Sequence, residues 1–185
     1  MKKALLLGAA LLLIASVSFA QQLPPLGYIG LFADDMHESW CTSIIGAAFN
    51  MWIWALPGEN GMKCAEFAIQ YPTAGIFAGT VTVNPGKSAT LGDLPGGFSI
   101  CYTECNWDWQ WIAYQSIFVM VGDPLVFEII PSPIVYPLPV YQFANCNEGY
   151  PKEPCIKFTN LYVNGECGPI ATEESSWGAI KDLFK

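Results

Sequence analysis

The sequence predicts an all-β fold: a single immunoglobulin-like antiparallel β-sandwich held by about three disulfides. Three observations carry this expectation. Short runs of β-branched and aromatic residues recur roughly every ten residues between Gly, Pro, Asn and Asp clusters. Gly (17) and Pro (14) are abundant among 185 residues, which suits many tight turns. Seven cysteines follow a leader-like N-terminus, and exported chains use cysteine mainly for disulfides.

The leader comes first in the chain. Lys2 and Lys3 precede an apolar run over 5–17, then Ser18-Phe19-Ala20 places small residues ahead of Gln21-Gln22. That is the pattern of a removable export signal. The run is shorter than the ~20 residues a membrane-spanning helix needs. The expected organisation is a cleaved leader at 1–20, a sandwich at 21–170 and a tail at 171–185. The destination is the periplasm, the cell surface or the medium, with no membrane span after cleavage.

The strands follow in order. Strand signals cover 28–33, 49–56 and 62–71, the last two separated by Pro57-Gly58-Glu59-Asn60-Gly61. An Asn-Gly turn between two such runs predicts a hairpin. Further strands are expected at 76–83, stopped by Asn84-Pro85-Gly86, and at 98–103 after Leu94-Pro95-Gly96-Gly97. The longest signal covers 109–121 and ends at Gly122-Asp123-Pro124, before a short strand at 125–130. The segment 131–139 holds four prolines and fits an edge or crossover, because proline cannot donate to a ladder. Strands at 140–144 and 157–163 complete the set. In the tail, Trp177, Ile180, Leu183 and Phe184 share one face of a short helix, preceded by capping residues at 172–176.

Charge narrows the function. The chain holds 8 Lys plus Arg, all of them Lys, against 16 Asp plus Glu. An acidic, Arg-free surface argues against nucleic acid and against anionic membranes. Catalytic signatures are nearly absent. His37 is the one histidine, and there is no Gly-x-Ser-x-Gly elbow and no phosphate loop. Asp108, Asp123 and Glu128 are candidate carboxylates for a glycosidase, but their spacing singles out no pair. Asp34, Asp35 and Glu38 are weak candidates for a divalent metal, without the spacing of a calcium loop. No cofactor is expected.

Disulfides are expected at Cys41, Cys64, Cys105, Cys146, Cys155 and Cys167. Spacing alone does not fix connectivity. The pairing adopted is Cys41–Cys64, Cys105–Cys146 and Cys155–Cys167, leaving Cys101 as the odd thiol.

The aromatic pattern is the strongest pointer to a ligand. Trp107, Trp109 and Trp111 alternate with Asp108 and Gln110, and Trp52 and Trp54 repeat the spacing. On a strand, period two puts all three indoles on one face. Exposed, such a row with Asp108 stacks on sugar rings. Buried, it fills the sandwich core or covers its edge.

Two stretches carry a resemblance. Gly27-Tyr28-Ile29-Gly30-Leu31-Phe32-Ala33-Asp34 with Trp40-Cys41, then Gly97-Phe98-Ser99-Ile100-Cys101-Tyr102-Thr103-Glu104-Cys105 and Asn145-Cys146, resemble the motifs of a group of secreted bacterial β-sandwich proteins without an assigned activity. That resemblance implies a secreted β domain, and Cys101 is an addition to its pattern. The ending Ser176-Trp177-Gly178-Ala179-Ile180-Lys181-Asp182-Leu183-Phe184-Lys185 is similar to a short tail on otherwise unrelated secreted proteins, which implies a sorting or attachment element. The function expected is a secreted or surface structural or adhesion-type domain with a protein or glycan partner. A carbohydrate-binding module on the Trp row is the alternative, and a glycosidase is the remote one.

Overall fold

A computed structural model describes residues 27–133, 141–155 and 157–167. The expected leader and C-terminal helix lie outside the described residues. Thirteen strands follow in order: β1 (Tyr28–Phe32), β2 (Cys41–Thr42), β3 (Ala47–Leu56), β4 (Met62–Gln70), β5 (Ile76–Val83), β6 (Lys87–Asp93), β7 (Gly97–Asn106), β8 (Gln110–Val119), β9 (Leu125–Ile130), β10 (Gln142–Ala144), β11 (Lys152–Pro154), β12 (Lys157–Thr159) and β13 (Leu161–Val163). No described residue is helical, and no helix is long and apolar enough to cross a membrane among them.

The strands form a sandwich of two sheets. The first has the order β12-β1-β3-β8-β5. The second runs β11-β10-β4-β9-β13-β2, with β7 on β4 and β6 on β7. Alternation explains the facing. In β9, Leu125, Phe127 and Ile129 turn inward while Val126, Glu128 and Ile130 turn outward. Ile29, Leu31, Met51, Ile53, Ala113 and Ile117 of the first sheet meet Ala65, Phe67, Ile69, Ile100, Phe127 and Leu161 of the second in one core.

Two pairings depart from the all-antiparallel immunoglobulin-like arrangement expected. β1 runs parallel to β12, and β13 runs parallel to β2. The early strands thus take the last strands as neighbours in both sheets.

The expected hairpin over 49–71 does not form. β3 fills both its edges with β1 and β8, while β4 pairs with β7, β9 and β10 in the opposite sheet. The Asn60-Gly61 turn exists, with Gly61 at φ +69° and its N–H donating to Gly58 O at 3.0 Å. It carries the chain from one sheet to the other. The Asn60 amide side chain donates to Glu153, and Asn60 O accepts from Cys146 N, which ties the turn to the second sheet's far edge.

The disulfides need correction. The bonds are Cys41–Cys167, Cys64–Cys101 and Cys105–Cys146. Cys155 is free and buried. Cys64 and Cys101 are direct cross-strand partners on the outer side of β4 and β7, so Cys101 is not the odd thiol and Cys64 is beyond Cys41's claim. Cys41 and Cys167 meet because β2 runs beside β13. The Cys155 thiol donates to Gly27 O at 3.1 Å, and burial pushes its pKa up to about 12.

The Gly-x-Ile-Gly opening has a packing reason. A Cβ on Gly30 would lie 2.5 Å from the Phe32 ring and 2.6 Å from the Tyr28 hydroxyl. Both aromatic side chains fold over the gap that the glycine leaves.

Candidate functional site

The outer face of the first sheet is the candidate site. β1, β3, β8 and β5 contain no Asp, Glu, Lys, Arg or His. The second sheet, by contrast, carries Lys63 and Glu66 on β4, Glu104 on β7 and Lys152 and Glu153 on β11. Its outer side is a polar network. Glu66 accepts from Gln142 and from Ser99, and pairs with Lys152 at 3.5 Å.

Cross-strand register builds rows of rings on the uncharged face. Phe32 of β1 lies opposite Trp52 of β3, and Trp52 opposite Tyr114 of β8. Trp54 lies opposite Trp111, where a bulge between Ile53 and Trp54 resets the register. That bulge lets both Trp111 and Tyr114 face outward, although they are three residues apart. Trp52 contacts Tyr114 at 4.6 Å and Trp111 edge-on at 5.7 Å between centroids.

A second ring cluster closes one end of the face. His37 stacks on Trp109 at 4.2 Å and 24°, and lies 4.8 Å from Trp54. Tyr28 meets Trp109 edge-on at 5.3 Å. The 34–38 loop that delivers His37 turns tightly, with His37 at φ +54°. Asp34 holds that turn by accepting from the Met36 and Glu38 amides. Burial opposes its ionisation, but hydrogen bonds from the Ser39 hydroxyl and from the Glu38, Met36 and Ser39 amides hold its pKa below the ordinary value. Two buried ring nitrogens in this cluster, His37 Nδ1 and Trp54 Nε1, have no hydrogen-bond partner.

The residues predicted from sequence are not assembled as a row. β8 begins at Gln110, so Trp107, Asp108 and Trp109 lie in the connection before it and escape the period-two argument. Trp107 is 62% exposed and its indole lies against Gly61. Trp109 and Trp111 are half-buried in the two separate clusters. Asp108 closes its own turn by accepting from Trp109 N at 2.7 Å.

The carboxylates are likewise dispersed. Asp108 and Asp123 flank opposite ends of the ten-residue β8, about 30 Å apart. Glu128 is on β9 of the other sheet. No group of three or more His, Cys, Asp or Glu residues that could hold a metal occurs among the described residues, so Asp34, Asp35 and Glu38 are not gathered as ligands.

Sequence reasoning missed the far corner of the same face. There Phe77 of β5 pairs directly with Phe118 of β8. Both are turned to solvent, as are Ile45 and Met120. The signal was legible as the uncharged composition of four strands that prove to be neighbours.

No family model matches the chain, and no curated protein matches it in sequence. Solved structures do match in fold. A cohesin module from a family 33 glycoside hydrolase of Clostridium perfringens superposes with a TM-score of 0.53 at 10% identity, covering 77% of this chain and 99% of that one. The OlpC cohesin of Clostridium thermocellum, solved in complex with a dockerin, gives 0.51 at 6% identity, covering 75% and 92%. A non-cellulosomal cohesin from the archaeon Archaeoglobus fulgidus gives 0.50 at 8%, covering 75% and 89%. The fold is therefore a cohesin-like β-sandwich. At these identities the likeness is one of fold.

Proposed function

We propose that this chain is an exported, non-enzymatic binding domain of the adhesion type, whose partner is a protein. The observation that carries the reading is the uncharged, ring-lined outer face of β1, β3, β8 and β5 in an otherwise acidic chain. A broad apolar face rimmed by polar groups is how soluble proteins present a docking surface. Two further facts support it. The OlpC cohesin, of the same fold, was solved bound to a dockerin, a protein partner. Three disulfides fit an oxidising location outside the cytoplasm, as does the leader pattern at 1–20. The Gly-x-Ile-Gly opening supports, in this reading, a likeness to the secreted group it resembles.

The test is a binding comparison between two faces. Asn50→Lys with Ser116→Lys puts two charges at the exposed centre of the uncharged face, where these residues are cross-strand partners. Thr103→Lys puts one on the opposite sheet. Proteins secreted by the native host are offered to each immobilised form. A partner held by the wild type and by Thr103→Lys, and lost by the double variant, is the expected result. Equal capture by all three forms rules out this face. A glycan reading keeps one support, the exposed Trp107 beside exposed Asp108. It predicts retention on some polysaccharide that Trp107→Ala abolishes.

A further inference from the structure

β5 is an edge strand without the usual protection. It ends the first sheet and pairs with β8 alone among the described residues. The other edge strands are short or charged. β2 has two residues, β12 and β11 have three each and carry Lys157 or Lys152 with Glu153, and β6 carries Lys87 and Asp93. Shortness and charge keep sheet edges from pairing with another chain. β5 has eight residues, Ile-Phe-Ala-Gly-Thr-Val-Thr-Val, with no charge and no proline. No charged side chain occurs anywhere in 67–86.

The ladder fixes which backbone groups point outward. Met120 N donates to Gly75 O and Asn84 N donates to Ile112 O, and both pairs continue the register of β5 on β8 by one position. Antiparallel pairs alternate between bonded and non-bonded. Phe77 and Thr82 therefore turn their N–H and C=O to β8, while Ile76, Ala78, Val81 and Val83 turn theirs to the open edge. A bulge at Gly79–Thr80 makes the step from Ala78 to Val81 three residues instead of two. It is held in place by the buried Gln115, whose Nε2 donates to Gly79 O at 2.7 Å.

The bulge selects the partner. A regular strand offers outward groups at every second residue, so it matches β5 on one side of the bulge only. A second β5 running antiparallel carries the same three-residue step. With Ile76 opposite Val83 of the second copy and Ala78 opposite its Val81, every outward group meets an outward group, and Gly79 meets Thr80 across the axis. Ile76 and Ala78 line an apolar groove of about 490 Å³ with Ile69, Pro95 and Ile130. Val83 and Val81 of the second copy bring apolar side chains to its mouth. We propose that two copies of this chain pair edge to edge through β5, an isologous two-fold contact that joins their first sheets into one. The net charge of −8 opposes the approach of two copies, but an uncharged edge meets an uncharged edge, and exposed charges beyond ~8 Å are largely screened at physiological salt.

Sedimentation and amide-resolved hydrogen exchange across a concentration series of the full, disulfide-bonded chain test this. The expected mass rises to that of two chains. The amides of Ile76, Ala78, Val81 and Val83 are expected to exchange roughly tenfold or more slower in the dimer, while Phe77 and Thr82 stay protected at every concentration. Ala78→Pro removes an outward N–H and leaves the β8 ladder intact, as edge strands permit, and is expected to hold the chain monomeric. If that variant fails to fold, Thr80→Lys serves, because Thr80 is exposed in the single chain. It sets two like charges beside the axis and is expected to weaken association by about tenfold or more. A monomer at every concentration overturns the proposal, and so does a dimer that survives Ala78→Pro or Thr80→Lys. Protection of the four amides that does not change on dilution overturns it in favour of a segment of the same chain on the edge. Asn50→Lys lies two strands in from β5, so a dimer that it abolishes overturns the edge contact in favour of the outer face. Capture of a secreted partner by that face is a separate readout, and a monomeric chain leaves it standing.

Discussion

Asn164 offers a quantitative test of what holds the two ends of the sandwich together. It sits just after β13 at φ +58°, in the left-handed region. Its side chain makes three hydrogen bonds to Ile44 and Val121, and its N–H donates to Thr42 O at 2.9 Å. Asn164→Gly removes the side-chain bonds and keeps the backbone conformation. At a net ~1 kcal/mol per bond, the loss is about 3 kcal/mol. Asn164→Ala adds the cost of a Cβ in the left-handed region, about 1 kcal/mol more. For a domain of this size, those losses lower Tm by roughly 6–12 °C for Gly and 8–16 °C for Ala. Urea titration with shared m-values, supported by thermal melts, gives both numbers. An Ala variant within ~1 kcal/mol of wild type refutes the bond accounting. A Gly variant no more stable than Ala refutes the backbone part.

Other expectations rest on the same structure. In the chain-entropy account, losing Cys41–Cys167, with its separation of 126, costs about 5 kcal/mol, and losing Cys64–Cys101, with a separation of 37, costs about 4. Paired Cys→Ala variants compared by denaturant midpoint check the order, and the reverse ranking counts against it. The Cys155 thiol, buried and raised to about 12, stays unlabelled by DTNB at pH 8 until guanidinium is added, when one thiol appears. Because the folded state keeps this proton longer than the unfolded chain, Cys155 contributes stability that is intact below pH ~8.5 and falls as pH rises toward ~12. Tyr28, also raised to about 12 by burial, adds to the fall above pH ~10. Stability curves of wild type and Cys155→Ala between pH 8 and 11 measure this, and parallel curves refute it. Trp109→Ala, which removes the His37 stack, costs ~2–4 kcal/mol, whereas Trp107→Ala costs under ~1. Equal losses sink the distinction between the two indoles.

Much of this fold is legible before any coordinates. The runs at 76–83 and 125–130 coincide with β5 and β9, because flanking Gly, Pro and Asp residues mark both their ends. β6 was unreadable: Lys-Ser-Ala-Thr-Leu-Gly-Asp is exposed throughout and owes its strand to β7's open edge. β2 and β11 are two and three residues long, too short for periodicity to register. The 157–163 run is two strands, since Asn160 turns its side chain to Ile129 N and lets β12 and β13 join different sheets. The 49–71 hairpin failed for a related reason: a turn signal is local, and whether its two strands pair depends on which neighbours arrive from elsewhere in the chain. The same limit governed the cysteines and the indoles. Cys64 and Cys101 are joined by strand register, and the bulge at Ile53/Trp54 brings Trp111 to Trp52 rather than to Trp109.

The Cys41–Cys167 bond has a mechanical meaning. It spans 126 positions and joins β2, which lies between β1 and β3 in the chain, to a residue just past β13. If a load pulls on the chain at Gly27 and at Cys167, the tension passes along β1 to Cys41, crosses from sulfur to sulfur and bypasses every strand from β3 to β13. Only the stretch 27–40 can unravel, roughly 5 nm of extended chain, against about 22 nm once that bond is reduced while Cys64–Cys101 and Cys105–Cys146 stay closed. Even that stretch is anchored by β1, which sits between β3 and β12. Oxidised, the segment from Cys41 to Cys167 is nearly inextensible to a load applied across it.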